Sequence, residues 1–209
     1  MTLLRKLCLI MVRSQFQREP TPNDPHKDLT DEALVAQIVE KRDSSLFGVL
    51  YDRYSQMVYN KCYGFARSQK EAEDLTQDVF LMLFVKLASF QGRSKFSTWL
   101  YSFTYNFCVN YVNRDRGRKI SDKSNSLDDS ERELPMEVTD ESLLDLQVAK
   151  LKEALELIPP EDKSLLLLKY QDGVSIRELE DLLELGPSAI KMRLKRAKAK
   201  VVEMYKTLA

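Results

Sequence analysis

A single histidine, three cysteines and few glycines close off several kinds of chemistry before any pattern is sought. His26 lies in the stretch PTPNDPHKD, where a histidine is ordinarily solvent-exposed and belongs to no ligand set. Cys8, Cys62 and Cys108 are odd in number and form no CxxC pair, which argues against a disulfide scaffold and against a zinc site. No glycine-rich phosphate loop follows a strand-like run. The expectation is therefore no catalytic residue, no metal and no cofactor. The N-terminal apolar run LCLIMV has six residues, too short to cross a bilayer and weak as the core of a signal peptide. No direct membrane insertion is expected, and the default location is cytoplasmic and reducing. Net charge is also missing: the formal total is +0, so the chain as a whole does not attract polyanions.

Locally the charge is far from balanced. Residues 89–119, SFQGRSKFSTWLYSFTYNFCVNYVNRDRGRK, hold eight aromatic and six basic residues. Residues 191–206, KMRLKRAKAKVVEMYK, hold seven basic residues against Glu203. Residues 121–147 between them carry nine acidic residues against two basic ones. Aromatics among cations suit single-stranded nucleic acid, where bases stack and the backbone needs counter-charge. A basic helix behind a helix-turn-helix pattern suits duplex DNA. The combination fits a protein that contacts a duplex and an opened strand together.

Outside residues 1–28 and 121–140 the periodicity is helical. Residues 1–28 read as an extension whose apolar start is ended by Pro20, Pro22 and Pro25. Thr30, Asp31 and Glu32 mark a helix start, with Leu34, Ile38 and Val39 as its apolar face. A second helix spans 44–66, with Leu46, Leu50, Tyr54, Met57, Val58 and Cys62 inward. Ser68 and Glu71 have capping-box spacing ahead of EAEDLTQDVFLMLFVKLASF, whose apolar line is Leu75, Val79, Met82, Leu83 and Val85 to Leu87. Gly92 interrupts this helix, and an aromatic helix covers 95–113. Residues 121–140 show no periodicity and read as a flexible acidic linker. A second helical domain then begins near Glu141. Its first helix runs through Leu143, Leu144, Leu146, Val148, Leu151, Ala154, Leu155 and Ile158 to Pro159 and Pro160. Helices follow at 161–170, at 176–183 capped by Ser175, and at 188–206, with a turn at Gln171-Asp172-Gly173. The fold class is all-α: two small helical domains, 29–120 and 141–207, joined by a flexible linker, the second carrying a helix-turn-helix.

Four stretches resemble one family. LFGVLYDRYSQMVYNKCYGF, EAEDLTQDVFLMLFVKLASFQGRSKFSTWLYSFTYN, ALELIPPEDKSLLLLKYQDGVSIRELEDLL and AIKMRLKRAKAKV together look like an extracytoplasmic-function (ECF) sigma factor of the sigma-70 family. AEDLTQ followed at this distance by FSTWL is the specific part; a helix-turn-helix alone is common to many folds. The resemblance covers roughly residues 30–206. It implies that 29–120 is sigma region 2, that 141–207 is sigma region 4, and that the chain binds core RNA polymerase and promoter DNA. It also implies an anti-sigma factor as a regulatory partner. The alternative is a helix-turn-helix regulator that acts without joining core polymerase, with the first domain serving for dimerisation.

Each group of candidate residues has a plain reading beside the functional one. Asp74, Gln77 and Asp78 share a helix face by their three- and four-residue spacing. That pattern fits a solvated face, or a docking surface for a basic groove, which the resemblance places on the polymerase. Phe90, Gln91, Arg93 and Lys95 belong to the loop 89–95, where the resemblance implies capture of an unstacked base of the −10 element. Asn106 and Asn110 lie one helical turn apart. Arg114, Arg116, Arg118 and Lys119 follow as phosphate contacts or as an exposed basic helix end. In the aromatic helix, Phe96, Trp99, Phe103 and Phe107 form one stripe and Tyr101, Tyr105 and Cys108 another, and most of this set reads as core. In the last helix, Ile190, Leu194 and Ala197 face inward. Ser188 and Lys191 are placed for base edges of the −35 element, and Arg193, Lys195, Arg196 and Lys198 for phosphates. Glu180 and Glu184 depart from the family pattern, which has a small residue and a glycine there. The expectation is a turn rebuilt around Gly186, with Glu180 reaching solvent and Asp181 and Glu184 adding negative charge on the DNA side.

Overall fold

The structure, a computed structural model, describes residues 29–41, 44–121 and 148–208. The expected N-terminal extension, the acidic linker beyond Ser121, and the helix start through Leu143, Leu144 and Leu146 lie outside the described residues, as do His26 and Cys8. The described part is helical, with no strand among the described residues. The helices are α1 (Asp31–Lys41), α2 (Ser44–Tyr63), α3 (Gln69–Lys86), α4 (Phe96–Ser121), α5 (Val148–Leu157), α6 (Pro160–Leu166), α7 (Ile176–Leu183) and α8 (Pro187–Thr207). Short turns of 3-10 type at Leu87–Ser89 and of π type at Leu167–Gln171 extend α3 and α6. Two compact units divide between Thr104 and Tyr105, inside the continuous helix α4.

In the first unit, α1 starts where expected: the Ala33 amide donates to the Thr30 hydroxyl at 3.3 Å. Its inward face is Leu34, Val35 and Ile38, not Leu34, Ile38 and Val39. Val35 is 4% exposed and Val39 is 39% exposed, so the face is centred one residue earlier than the pattern indicates. Ser68 caps α3 by accepting from the Glu71 amide at 3.2 Å. The Glu71 carboxylate reaches back to the Arg67 amide at 2.5 Å, one residue beyond the partner a capping box uses. The buried line of α3 is Leu75, Val79, Phe80 and Leu83, continued by Leu87. Tyr51 and Phe47 of α2 meet Phe80, with ring centroids 4.5 and 6.3 Å apart. Each such apolar side chain, fully buried, contributes roughly 1.5–3 kcal/mol. Met57 on α2, and Met82 and Val85 on α3, expected inside, are exposed.

Two acids at the start of α1 hold other elements in place. Asp31 accepts from Arg53 Nη1 at 2.7 Å and from the Tyr54 hydroxyl at 2.5 Å, and the same Arg53 nitrogen donates to the Leu29 carbonyl at 2.9 Å. Glu32 Oε1 accepts from the Phe96 amide at 3.0 Å, so a carboxylate from α1 satisfies a free amide in the first turn of α4 and complements its dipole. Burial, and then the Asp52 carboxylate, push the Tyr51 phenol from 10.0 up to about 12. Burial, and then the hydrogen bond to Asp31, push the Tyr54 phenol well above its ordinary value. Both groups hold their protons more tightly folded than unfolded, so their contribution to stability is complete below pH 10.0; that of Tyr51 is lost as pH rises through about 12, and that of Tyr54 persists to higher pH still. The urea midpoint of the chain is expected to be flat at mildly alkaline pH and to fall above the ordinary tyrosine pKa of about 10. A midpoint that stays flat to about pH 12 would contradict the assignment.

In the second unit, α8 packs on α5, α6 and α7. Ile190, Leu194, Ala197 and Val201 of α8 join Ala154, Ile158, Leu165, Leu166, Leu168, Val174 and Leu179 in the core. Pro160 stands at the first turn of α6, where its missing N–H costs nothing. The expected helix over 161–170 leaves α geometry after Leu166, and the wide turn Leu167–Gln171 ends it. Val174 N–H bonds the Leu168 carbonyl at 3.0 Å across Gly173, whose φ of 68° suits a residue without a β-carbon. Ser175 and Glu178 form a complete capping box ahead of α7. Lys163 is buried and bonds Glu156 at 2.6 Å. Lys200 of α8 pairs with Asp162 of α6 at 2.7 Å, and Lys150 of α5 lies 4.4 Å from the Tyr205 ring of α8.

Candidate functional site

On α3, Asp74 is exposed and Gln77 and Asp78 are half-buried on the same face. The helical spacing carries that face on through Leu81, Met82 and Val85. Met82 is exposed and Val85 is 66% exposed, the residues expected inside. Phe84, also exposed, sits edge-on to Phe47 with centroids 5.0 Å apart. The result is a helix surface with carboxylates and an amide at its N-terminal end and bare apolar side chains at its C-terminal end. Exposed apolar side chains in line with acids are what both a solvated face and a docking surface can present.

The loop 89–95 follows directly. Phe90 is half-buried, with its ring 5.4 Å from Phe96 and 5.5 Å from Trp99; Trp99 stacks on Phe103 at 5.4 Å. Phe90 thus anchors the loop on an aromatic wall, while Gln91, Arg93 and Lys95 are exposed. Gly92 has φ 68° and nothing within 4 Å of the place a β-carbon would occupy, so the constraint on it is conformational and the space beside it is open. The wall itself divides as expected in part. Phe96 and Tyr105 are fully buried, while Trp99, Tyr101, Phe103 and Phe107 are half-buried. Lys61 of α2, buried, lies 4.0 Å from the Tyr101 ring, a cation–π contact the sequence did not reveal.

Helix α4 continues to Ser121, eight residues past the expected end at 113. Arg and Lys favour helix, so the basic run extends the rod. Asn106, Asn110 and Arg114 are exposed at successive four-residue steps. Arg116, Arg118 and Lys119 lie within this helix, with side chains outside the described residues.

In the helix-turn-helix, Ser188, Lys191, Arg193, Lys195 and Arg196 are exposed on α8 and Lys198 is half-buried. The turn is not rebuilt around Gly186. Gly186 has an ordinary extended backbone, φ −68° and ψ 158°, and serves as the N-cap of α8. Glu184 takes the left-handed position instead, φ 53° and ψ 39°, at the end of α7. The turn therefore keeps a geometry that glycine suits and fills it with glutamate, at a cost of roughly 1 kcal/mol. Glu180 is half-buried, and Asp181 and Glu184 are exposed.

No group of His, Cys, Asp and Glu among the described residues could hold a metal, and no described helix is long and apolar enough to cross a membrane. The contributions that sequence reasoning missed are Glu32 and the apolar end of the α3 face. Glu32 meets Phe96 across 64 positions of sequence, which no local pattern displays. Met82 and Val85 were visible as apolar residues but not as exposed ones.

Comparison with known proteins gives these surfaces a setting. The family model described as Sigma-70 region 2 matches residues 50–118, and that described as Sigma-70, region 4 matches residues 149–201. The chain is 25% identical over 166 residues to the ECF RNA polymerase sigma factor SigW of Bacillus subtilis, covering 77% of this chain and 89% of that one. It is 30% identical over 173 residues to the ECF RNA polymerase sigma factor BldN of Streptomyces coelicolor, covering 80% of this chain and 64% of that one. Among solved structures, CnrH in complex with the cytosolic domain of CnrY shares the fold with a TM-score of 0.57 and 19% identity, over 86% of this chain and 99% of that one. The sigma factor RpoE in complex with the anti-sigma factor NepR from Bartonella quintana does so with a TM-score of 0.53 and 22% identity, over 77% of this chain and 96% of that one.

Proposed function

The chain belongs to the ECF sigma factors of the sigma-70 family, and from that premise we propose how its residues divide the work of promoter recognition. As a sigma factor it directs promoter-specific transcription by RNA polymerase. The α3 face docks on core polymerase: Asp74, Gln77 and Asp78 meet a basic groove through charge-assisted hydrogen bonds, and Met82 and Val85 add a dry apolar patch beside them. The loop 89–95 receives an unstacked base of the −10 element, with Phe90 holding the loop to the aromatic wall and Gln91, Arg93 and Lys95 facing the strand. Asn106, Asn110, Arg114, Arg116, Arg118 and Lys119 continue along bases and phosphates. On α8, Ser188 and Lys191 read the −35 duplex, while Arg193, Lys195, Arg196 and Lys198 hold its phosphates.

The observation that carries this reading is the acid-to-apolar α3 face followed immediately by an exposed cationic loop on an aromatic wall, within the stretch matched to region 2. A helix-turn-helix regulator acting alone would leave that half of the chain without a role. The chain supplies no catalytic group in this account; the polymerase performs the chemistry in the cytoplasm. An anti-sigma protein is a further partner, in line with the complex of the sigma factor RpoE with the anti-sigma factor NepR. Strand opening is testable with permanganate, which oxidises unpaired thymines. On a promoter selected by transcription with core polymerase and this chain, Arg93→Ala with Lys95→Ala is expected to lower thymine reactivity around the −10 element about tenfold, two phosphate or base contacts being lost. Binding to core polymerase should be unchanged. Full reactivity in the double variant would contradict the loop's role.

A further inference from the structure

Glu184 is the one non-glycine residue with positive φ among the described residues. It terminates α7, and two residues later Gly186 caps α8. Glu184 therefore stands in the turn that leads into α8, whose first two turns carry the exposed Ser188 and Lys191. In a helix-turn-helix that end of the helix enters the major groove, between two phosphate backbones. Asp181, also exposed, stands three residues before Glu184. From Ser175 to Gly186 the chain holds Glu178, Glu180, Asp181 and Glu184 against Arg177 alone. Glu178 is taken up in the capping box and Glu180 is half-buried, whereas the Glu184 side chain is exposed. The residue costs backbone strain where glycine fits freely, and it places a carboxylate at the groove-facing end of a basic helix, where it opposes binding.

We propose that Glu184 is an affinity-limiting residue of the helix-turn-helix: its carboxylate, held at the groove-facing end of α8, repels DNA phosphates and keeps the second unit from holding a duplex tightly by itself. This rests on the reading of α8 as the duplex-contacting helix. Its consequence is that stable engagement of the −35 element requires the other contacts made once the chain has joined polymerase, since tethering raises the effective concentration of a weak site.

Charge and strain separate in two substitutions. Glu184→Gln removes the charge and keeps the β-carbon; Glu184→Gly removes both. With the full chain and a fluorescently labelled mixed-sequence duplex, anisotropy titration at low salt is expected to show about two- to fivefold tighter binding for Glu184→Gln, the size of one screened like-charge contact. The gain should shrink as salt is raised. Its thermal midpoint should match that of the unsubstituted chain. Glu184→Gly should bind as tightly and melt a few degrees higher, roughly what relief of one left-handed residue provides. Arg193→Ala with Lys195→Ala should weaken binding in the same assay. If that double variant weakens binding while Glu184→Gln changes nothing or weakens it, the proposal is overturned and the reading of α8 stands. A gain in Glu184→Gly alone overturns the role of charge. If the double variant binds as the unsubstituted chain does, the reading of α8 and the proposal fail together.

Discussion

Replacing Asp74 and Asp78 together with alanine is expected to weaken binding to core RNA polymerase on the order of a hundredfold, or ~2.7 kcal/mol, while leaving the fold intact. The size follows from losing two charged acceptors from an interface that covers them, and from leaving their basic partners unpaired. The fold should survive because Asp74 is exposed and Asp78 half-buried. Alanine is also the better helix former, and surface changes of this kind shift stability by about 0.5 kcal/mol or less. Glu73→Ala is the control. It is an exposed acid on the same helix that accepts from Gln69 at 3.1 Å, at the edge of the face one turn before Gln77. Analytical sedimentation with core polymerase would separate the two variants. Equal affinity for both would mean that the face is merely solvated.

The largest expected effect on stability belongs to Asp31. Its carboxylate accepts from Arg53 and Tyr54, at 2.7 and 2.5 Å. Asp31→Ala leaves a guanidinium and a buried phenol short of an acceptor, and is expected to cost about 2–3 kcal/mol. Tyr54→Phe removes one bond and no charge, and should cost about 1 kcal/mol. Trp99 is the single tryptophan and stands in the aromatic wall of the first unit, so its fluorescence in a urea titration reports this unit directly. A loss smaller for Asp31→Ala than for Tyr54→Phe would refute the ranking. The functional reach of this corner is through Glu32, which fixes the Phe96 amide and with it the helix start that ends the loop 89–95.

Helix starts were legible in the sequence because their signals are local. Thr30, Ser68 and the Ser175–Glu178 pair each act within three residues. The buried face of α8 was equally legible, its apolar residues recurring at three- and four-residue steps. Faces were misread where several apolar residues adjoin. In α1, Val35 and Val39 are equally apolar, and only packing selects Val35. In α3, periodicity accounts for Met82 and Val85 as apolar residues but does not distinguish a core from a surface kept for a partner. The left-handed Glu184 could not be read either. Propensity assigns such a position to glycine, and Gly186, two residues away, offered an apparent alternative. The backbone instead places the left-handed residue at Glu184. Long-range capping, as by Glu32 on α4, has no sequence signature at all.

The central claim is that this chain gives core polymerase its choice of promoter. Run-off transcription from pooled genomic fragments, with purified core polymerase in the presence and absence of the chain, tests it most directly. The account predicts discrete transcripts that appear only with the chain and are lost with Asp74→Ala and Asp78→Ala. A chain that never joins core polymerase, and instead binds a palindromic duplex tightly as a dimer without yielding any dependent transcript, would contradict it.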